Sequence, residues 1–109
     1  MIYNTETAKE IAKVRKWYST DRDNDGSQLG EQSLYVGSDG DVFITARGQN
    51  AIFDIKKDFA CVYTQRDARG TVAIAPIDIR QAECWLFTNF IRDVKKYEER
   101  MEKLHESIK

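Results

Sequence analysis

The sequence predicts an α+β fold: an N-terminal helix, an antiparallel β-meander of four or five strands, and a long C-terminal helix. Three observations lead there. Apolar residues recur with a period near 3.6 at the start of the chain, switch to a period near 2 through its middle, and return to 3.6 towards its end. The polar connections in the middle of the chain are too short to hide crossover helices, so consecutive strands must pair antiparallel. With 109 residues, 41% of them hydrophobic and 32% charged, the chain has material for one core and one domain, residues 1–109.

The first helix is expected over residues 4–19. Ala8, Ile11, Val14 and Tyr18 share one side of a helical wheel, Lys9, Glu10, Lys13 and Lys16 lie away from it, and Asn4 or Thr5 stands where an N-cap belongs. Residues 20–33 are the longest polar stretch and read as an acidic loop, with Asp21, Asp23 and Asp25 alternating ahead of Gly26 and Gly30. The sheet is expected over 34–75, in the β-branched and aromatic runs 34–36, 42–45, 51–55, 59–63 and 71–74. Alternation puts Leu34, Val36, Val42, Ile44, Phe53, Ile55, Cys61, Tyr63, Val72 and Ile74 on the core face, and Tyr35, Phe43, Ile52, Asp54, Val62 and Thr64 on the other. A capping box, Asp78 with Gln81, opens the last helix, with Ile77 and Ala82 placed as a hydrophobic staple. No Gly or Pro follows, so this helix is expected to run over 78–108, about 46 Å, with an overhanging end.

A formal charge of −1 removes the general attraction for polyanions that basic domains have. No apolar run is long enough to span a membrane and the first residues carry no leader pattern, so a soluble, cytoplasmic protein is expected. Cys61 and Cys84 are 23 positions apart without a C-x-x-C pair and are expected as buried free thiols. His105 is the sole histidine, and no nucleophile–base set or phosphate-binding glycine loop is spelled out, so an enzyme is not expected.

Four patterns remain as candidates for function. Phe87, Phe90, Val94, Tyr97, Met101, Leu104 and Ile108 are spaced 3-4-3-4-3-4 between charged flanks, a heptad seam whose second part, Val94, Tyr97, Met101, Leu104 and Ile108, is the expected self-association surface of a homodimer. Asp21-x-Asp23-x-Asp25-Gly26 resembles the first half of the calcium loop of the EF-hand family. That resemblance implies oxygen ligands from Asp21, Asp23, Asp25 and the Ser27 carbonyl, with Glu31 or Gln32 closing the site. The family pattern fails at its eighth position, here Gln28, and at its twelfth, where Gln32 replaces a bidentate Glu. Tyr35, Phe43, Ile52 and Val62 on the outer sheet face, with Trp85, form an expected partner surface. Arg47, Arg66 and Arg69 near Tyr63 are the candidate nucleic-acid contacts, although the near-zero net charge makes nucleic acid an unexpected partner.

With activity confined to surfaces, the expectation is a small non-catalytic module that binds another protein and regulates or inhibits it, an accessory factor of the kind that phages and mobile elements turn against host machinery. A calcium-stabilised adaptor using residues 21–32 is the alternative, calcium being the one cofactor the sequence leaves room for. A local nucleic-acid binder is the weaker one.

Overall fold

The computed structural model describes residues 3–19 and 27–108. The chain runs β1 (Lys9–Ser19), β2 (Ser27–Val36), β3 (Val42–Arg47), α1 (Gln49–Asp58), β4 (Tyr63–Asp67), β5 (Gly70–Ile77), α2 (Ile79–Phe90) and α3 (Val94–Ser107). The five strands form one antiparallel sheet in the order β1-β2-β3-β5-β4. The α+β class and the antiparallel sheet are as the sequence predicts; several elements are not.

The expected N-terminal helix is the edge strand β1. Its register shifts between Glu10 and Ala12, and Ile11 and Ala12 are both buried. This bulge gives Ile11, Val14 and Tyr18 a helix-like spacing, while beyond it Ala12, Val14 and Tyr18 keep the period of 2 that a strand requires. The expected acidic loop ends earlier than residue 33, because β2 begins at Ser27. The polar residues Glu31, Gln32 and Ser33 are buried within this strand, where side chains of neighbouring elements satisfy Glu31 and Gln32.

Residues 51–55, expected as a strand, belong to α1. Ala51 and Ile55, one turn apart, are buried against the sheet, and Asn50 donates a hydrogen bond from Nδ2 to the Tyr18 carbonyl at 2.9 Å. The helix starts where the chain presses on β2. A Cβ on Gly30 would stand 2.8 Å from that of Ala51, and Gly48, at φ 97°, turns the chain into the helix. The run 59–63 is mostly connection, and β4 starts only at Tyr63. Cys61 is therefore exposed, as is Cys84 on α2, against the expectation that both thiols are buried; both are free.

The C-terminal helix is broken in two. The capping box forms as predicted, with Asp78 Oδ1 accepting from the Gln81 N–H at 2.8 Å and Gln81 Oε1 accepting from the Asp78 N–H at 3.0 Å. After Phe90 the chain turns: Asp93 N–H donates to the Phe90 carbonyl, and the Asp93 carboxylate accepts from the Lys96 N–H, capping α3. The break replaces the expected overhang with a helical hairpin. Phe87 meets Tyr97 ring to ring at 5.9 Å, and Glu83 meets His105 at 2.7 Å, so α3 runs back along α2.

All three helices cover one face of the sheet. Leu34, Val36, Val42, Ile44, Ala46, Ala73 and Ala75 meet Ala51, Ile55, Ala82, Leu86, Phe90 and Leu104 there in the main core. On the opposite face Phe43, Val72 and Ile74 form a smaller cluster covered by Tyr3, Ala8 and Tyr35. Val72 and Ile74 thus lie opposite the face that alternation assigned them, because Ala73 and Ala75, not their larger neighbours, make room for the helices.

Candidate functional site

The face not covered by helices carries a charge network built by cross-strand pairing. Arg15, Glu31 and Arg47 are successive partners across β1, β2 and β3. The hairpin of β4 and β5 brings Asp67 to Arg47, whose guanidinium donates to both carboxylate oxygens. Asp67 also accepts from the Thr5 hydroxyl and the Arg69 N–H, each at 2.9 Å. The Arg47 hydrogen bonds, aided by these two and opposed by burial, hold the Asp67 carboxyl well below the usual aspartate range. Glu31 sits among Arg69 at 2.5 Å, Lys13 at 3.4 Å and Arg15 at 3.8 Å. Burial pushes its carboxyl up, but the Arg69 hydrogen bond and the charges of Lys13 and Arg69 outweigh burial and leave it lowered. These ion pairs close the network on itself.

A polar cleft of about 290 Å³ opens between α1, α2 and the sheet, lined by Lys16, Asp54, Asp58, Cys84, Thr88 and Asn89 among others. At its back Trp85 Nε1 donates to Gln32 Oε1 at 3.0 Å. It holds the carboxylates of Asp54 and Asp58, the Lys16 amine and the Cys84 thiol.

The third feature lies at the turn between α2 and α3. Phe90 points inward and meets Trp85 edge to face at 6.3 Å, whereas Phe87, Ile91 and Val94 stay outside, 51%, 52% and 62% exposed. The tight turn at Asp93 forces the last turn of α2 and the first of α3 to converge, and Phe87, Phe90, Ile91, Val94 and Tyr97 line a cleft of about 200 Å³. Lys96 Nζ lies over the Phe90 ring at 5.8 Å, and the charged residues next to the cleft in sequence, Arg92, Asp93, Lys95, Lys96, Glu98 and Glu99, are all exposed.

The residues singled out in the sequence are dispersed among these features. Of the expected self-association seam, Leu104 is fully buried and Tyr97, Met101 and Ile108 pack against the main core of their own chain, so only Val94 is turned outward. Of the expected partner surface, Tyr35 and Phe43 stack at 5.4 Å with Phe43 buried under Tyr3. Ile52 and Val62 pack on the main core of the helix-covered side, where Trp85 is buried. Arg47 and Arg69 come together at Asp67, while Arg66 lies beside residues 3–6. Asp21, Asp23 and Asp25 lie outside the described residues, and Ser27 starts β2. Glu31 is held by three cations and Gln32 by Trp85, so both side chains of the proposed closing position are engaged within the sheet. Among the described residues no three His, Cys, Asp or Glu side chains are grouped to hold a metal.

A single helix over 78–108 has no corner at Ile91, although the sequence carries one signal for it: Ile91 is a large apolar residue off the heptad seam, followed two positions later by Asp93, a good N-cap. Comparison with protein-family models, with curated proteins and with solved structures finds no match. No helix of the described residues is long and apolar enough to cross a membrane.

Proposed function

We propose that this protein is a non-catalytic module that binds a larger protein through the apolar corner between α2 and α3 and regulates or inhibits that partner. One observation carries the reading: Phe87, Ile91 and Val94, each more than half exposed, converge on one cleft. Single exposed apolar residues are ordinary, but three that converge on one apolar-walled cleft form a contiguous patch, and it is contiguous apolar patches that mark partner sites. The Asp93 cap and the Phe87–Tyr97 ring contact tie the two helices together at this corner without any partner, and a surface already shaped in this way has less to order on association.

Site-specific photocrosslinking in the cell of origin tests this. A photoreactive phenylalanine analogue at position 87 is expected to form an adduct with a protein larger than this chain, and Ile91→Asp is expected to abolish it. The same probe at Lys9, on the far edge strand, is expected to give none. Absence of an adduct from position 87 in a folded variant overturns the proposal, as does an adduct that Ile91→Asp leaves unchanged.

A further inference from the structure

The polar cleft between α1, α2 and the sheet shares no lining residue with the apolar corner and stands apart from the docking reading. We infer that it binds a small zwitterion of the α-amino acid type, with Lys16 and Gln32 on the floor receiving the carboxylate and Asp54 and Asp58 on the α1 wall receiving the ammonium group.

The floor is polar where the alternation of the strands calls for apolar side chains. On β1, Val14 and Tyr18 belong to the main core under the helices, so Lys16 between them is turned to the same side. Its partner across the strands is Gly30, where Ala51 of α1 comes close. Gln32, the cross-strand partner of Val14, is only 6% exposed, and its neighbour fixes how its amide is turned. An indole N–H can only donate, so Gln32 Oε1 faces Trp85 and the NH2 group is left with no hydrogen-bond partner among the described residues. A buried amide with both of its hydrogens unused, on the same floor as an ammonium group, is a place for an anionic acceptor.

The α1 wall is complementary. Asp54 and Asp58 stand one turn apart and both border the cleft, and neither makes an ion pair or accepts a hydrogen bond among the described residues. Like charges at that spacing repel, and a cation between them relieves the repulsion. Asn89 on α2 adds an acceptor: its Nδ2 donates to the Trp85 carbonyl at 2.8 Å, which leaves Oδ1 free. Lys16 does not answer the carboxylates itself, since it forms no ion pair among the described residues and its Nζ lies over the Tyr18 ring at 5.1 Å. A simple amine would leave Lys16 and Gln32 without an acceptor, and a simple acid would leave the two carboxylates without a cation. One molecule with both groups serves both sides. The volume, about 290 Å³, lies at the lower end of the roughly 300–1,000 Å³ of small-molecule sites, which suits an amino acid rather than a nucleotide cofactor. Phe59 and Trp85 offer its side chain an apolar wall.

The test follows the two indole N–H signals of the 15N-labelled full chain by NMR while each L-amino acid is added to about 5 mM, enough to reveal a Kd of about 1 mM or less. Trp85 borders the cleft, whereas Trp17, two residues beyond Arg15 on β1, lies on the opposite face and is assigned by Trp17→Phe. At least one amino acid is expected to move the Trp85 signal saturably and leave that of Trp17 in place. The amine and the carboxylic acid that each keep only one of its charged groups should bind wild type at least about tenfold more weakly. Lys16→Met and the double variant Asp54→Asn/Asp58→Asn should each weaken the amino acid by a similar factor. The comparison of analogues uses wild type throughout, so it decides the matter even where a variant fails to fold. If no amino acid moves the Trp85 signal, the inference is overturned and the cleft is a solvent-filled seam. An amine that binds as tightly as the amino acid overturns it in favour of a cation site, and an acid that does so in favour of an anion site. None of these outcomes bears on docking at the α2–α3 corner.

Discussion

On the helix-covered face of the sheet, Leu34, Ile44, Ala46 and Ala75 meet Ile55, Leu86 and Leu104; on the opposite face of the same strands, Glu31 and Asp67 are held by Lys13, Arg15, Arg47 and Arg69. The two faces share one set of backbone hydrogen bonds and differ only in what alternates along the strands. Where helices arrive, the strands offer small or apolar residues, and the alanines with Gly30 let helix backbones approach. At the uncovered end, long charged side chains lie over the sheet and neutralise one another there. The helix-covered face should respond to lost volume and hardly to pH, and the charged end of the opposite face to pH and only weakly to volume.

The largest effect is expected from Leu104→Ala. Leu104 is fully buried, and removing its side chain loses transfer energy and leaves a cavity, about 3 kcal/mol in a urea melt. The same truncation at Val94, on the same helix but 62% exposed, should stay within about 0.5 kcal/mol. Equal losses at both positions would mean that the seam of α3 is not packed as described. Next comes Gly30→Ala, an addition rather than a deletion. The new methyl would meet Ala51 Cβ at 2.8 Å and the Arg47 carbonyl oxygen at 3.0 Å, too close for either to stay in place. Overpacking of this kind costs about 2 kcal/mol, and the companion change Ala51→Gly should recover part of it in the double variant.

How far these features are legible in the sequence depends on how local their causes are. The capping box at Asp78 and Gln81 is fixed by neighbours three residues apart, and it appears as predicted. The alternation over 42–45 and 71–74 survives as β3 and β5 because Phe43, Ile44, Val72 and Ile74 keep a period of 2. β1 is not legible, since a bulge at Ile11 puts two consecutive residues inward and lends the strand a helical spacing. The run Ala51–Ile55 fits a buried strand as well as a helix, and the space that Ala51 fills comes from Gly30, 21 positions earlier, where a Cβ would collide with it. The candidate site was half visible. Phe87, Val94 and Tyr97 stood out as apolar, but the turn at Asp93 that sends Val94 outward and Leu104 inward is settled by tertiary packing of α3 on β1 and α2.

On the charged face the informative change is Asp67→Asn. It removes the charge that Arg47 faces while keeping the side-chain shape, and at pH 7 should cost about 1.5 kcal/mol, the scale of a hydrogen bond to a charged group. Because the folded carboxyl is held below its ordinary value, its contribution is complete above the unfolded value near 4 and is lost as pH falls through the folded one. Wild type should therefore lose stability on acidification below about pH 4. The gap between wild type and Asp67→Asn should narrow over the same range, as urea midpoints at pH 7, 4 and 2.5 would show. Leu104→Ala should keep a constant gap at every pH. A gap for Asp67→Asn that does not change with pH would show that Arg47 gains nothing from the charge.

The smallest effect belongs to a residue that brings polarity to the apolar side. Tyr18 is buried where β1 faces α1, and its hydroxyl has no hydrogen-bond partner among the described residues. Burial and the charge of Asp54 push its pKa up to about 12, so the phenol stays neutral and the hydroxyl is dehydrated without compensation. Tyr18→Phe keeps the ring over which Lys16 Nζ lies at 5.1 Å and deletes only the unpaired oxygen. Its expected effect is between zero and a gain of about 1 kcal/mol, where most buried substitutions destabilise. A loss of more than 1 kcal/mol would show that the hydroxyl is satisfied in solution, by water or by Asp54, and that polarity reaches the helix-covered face at this position.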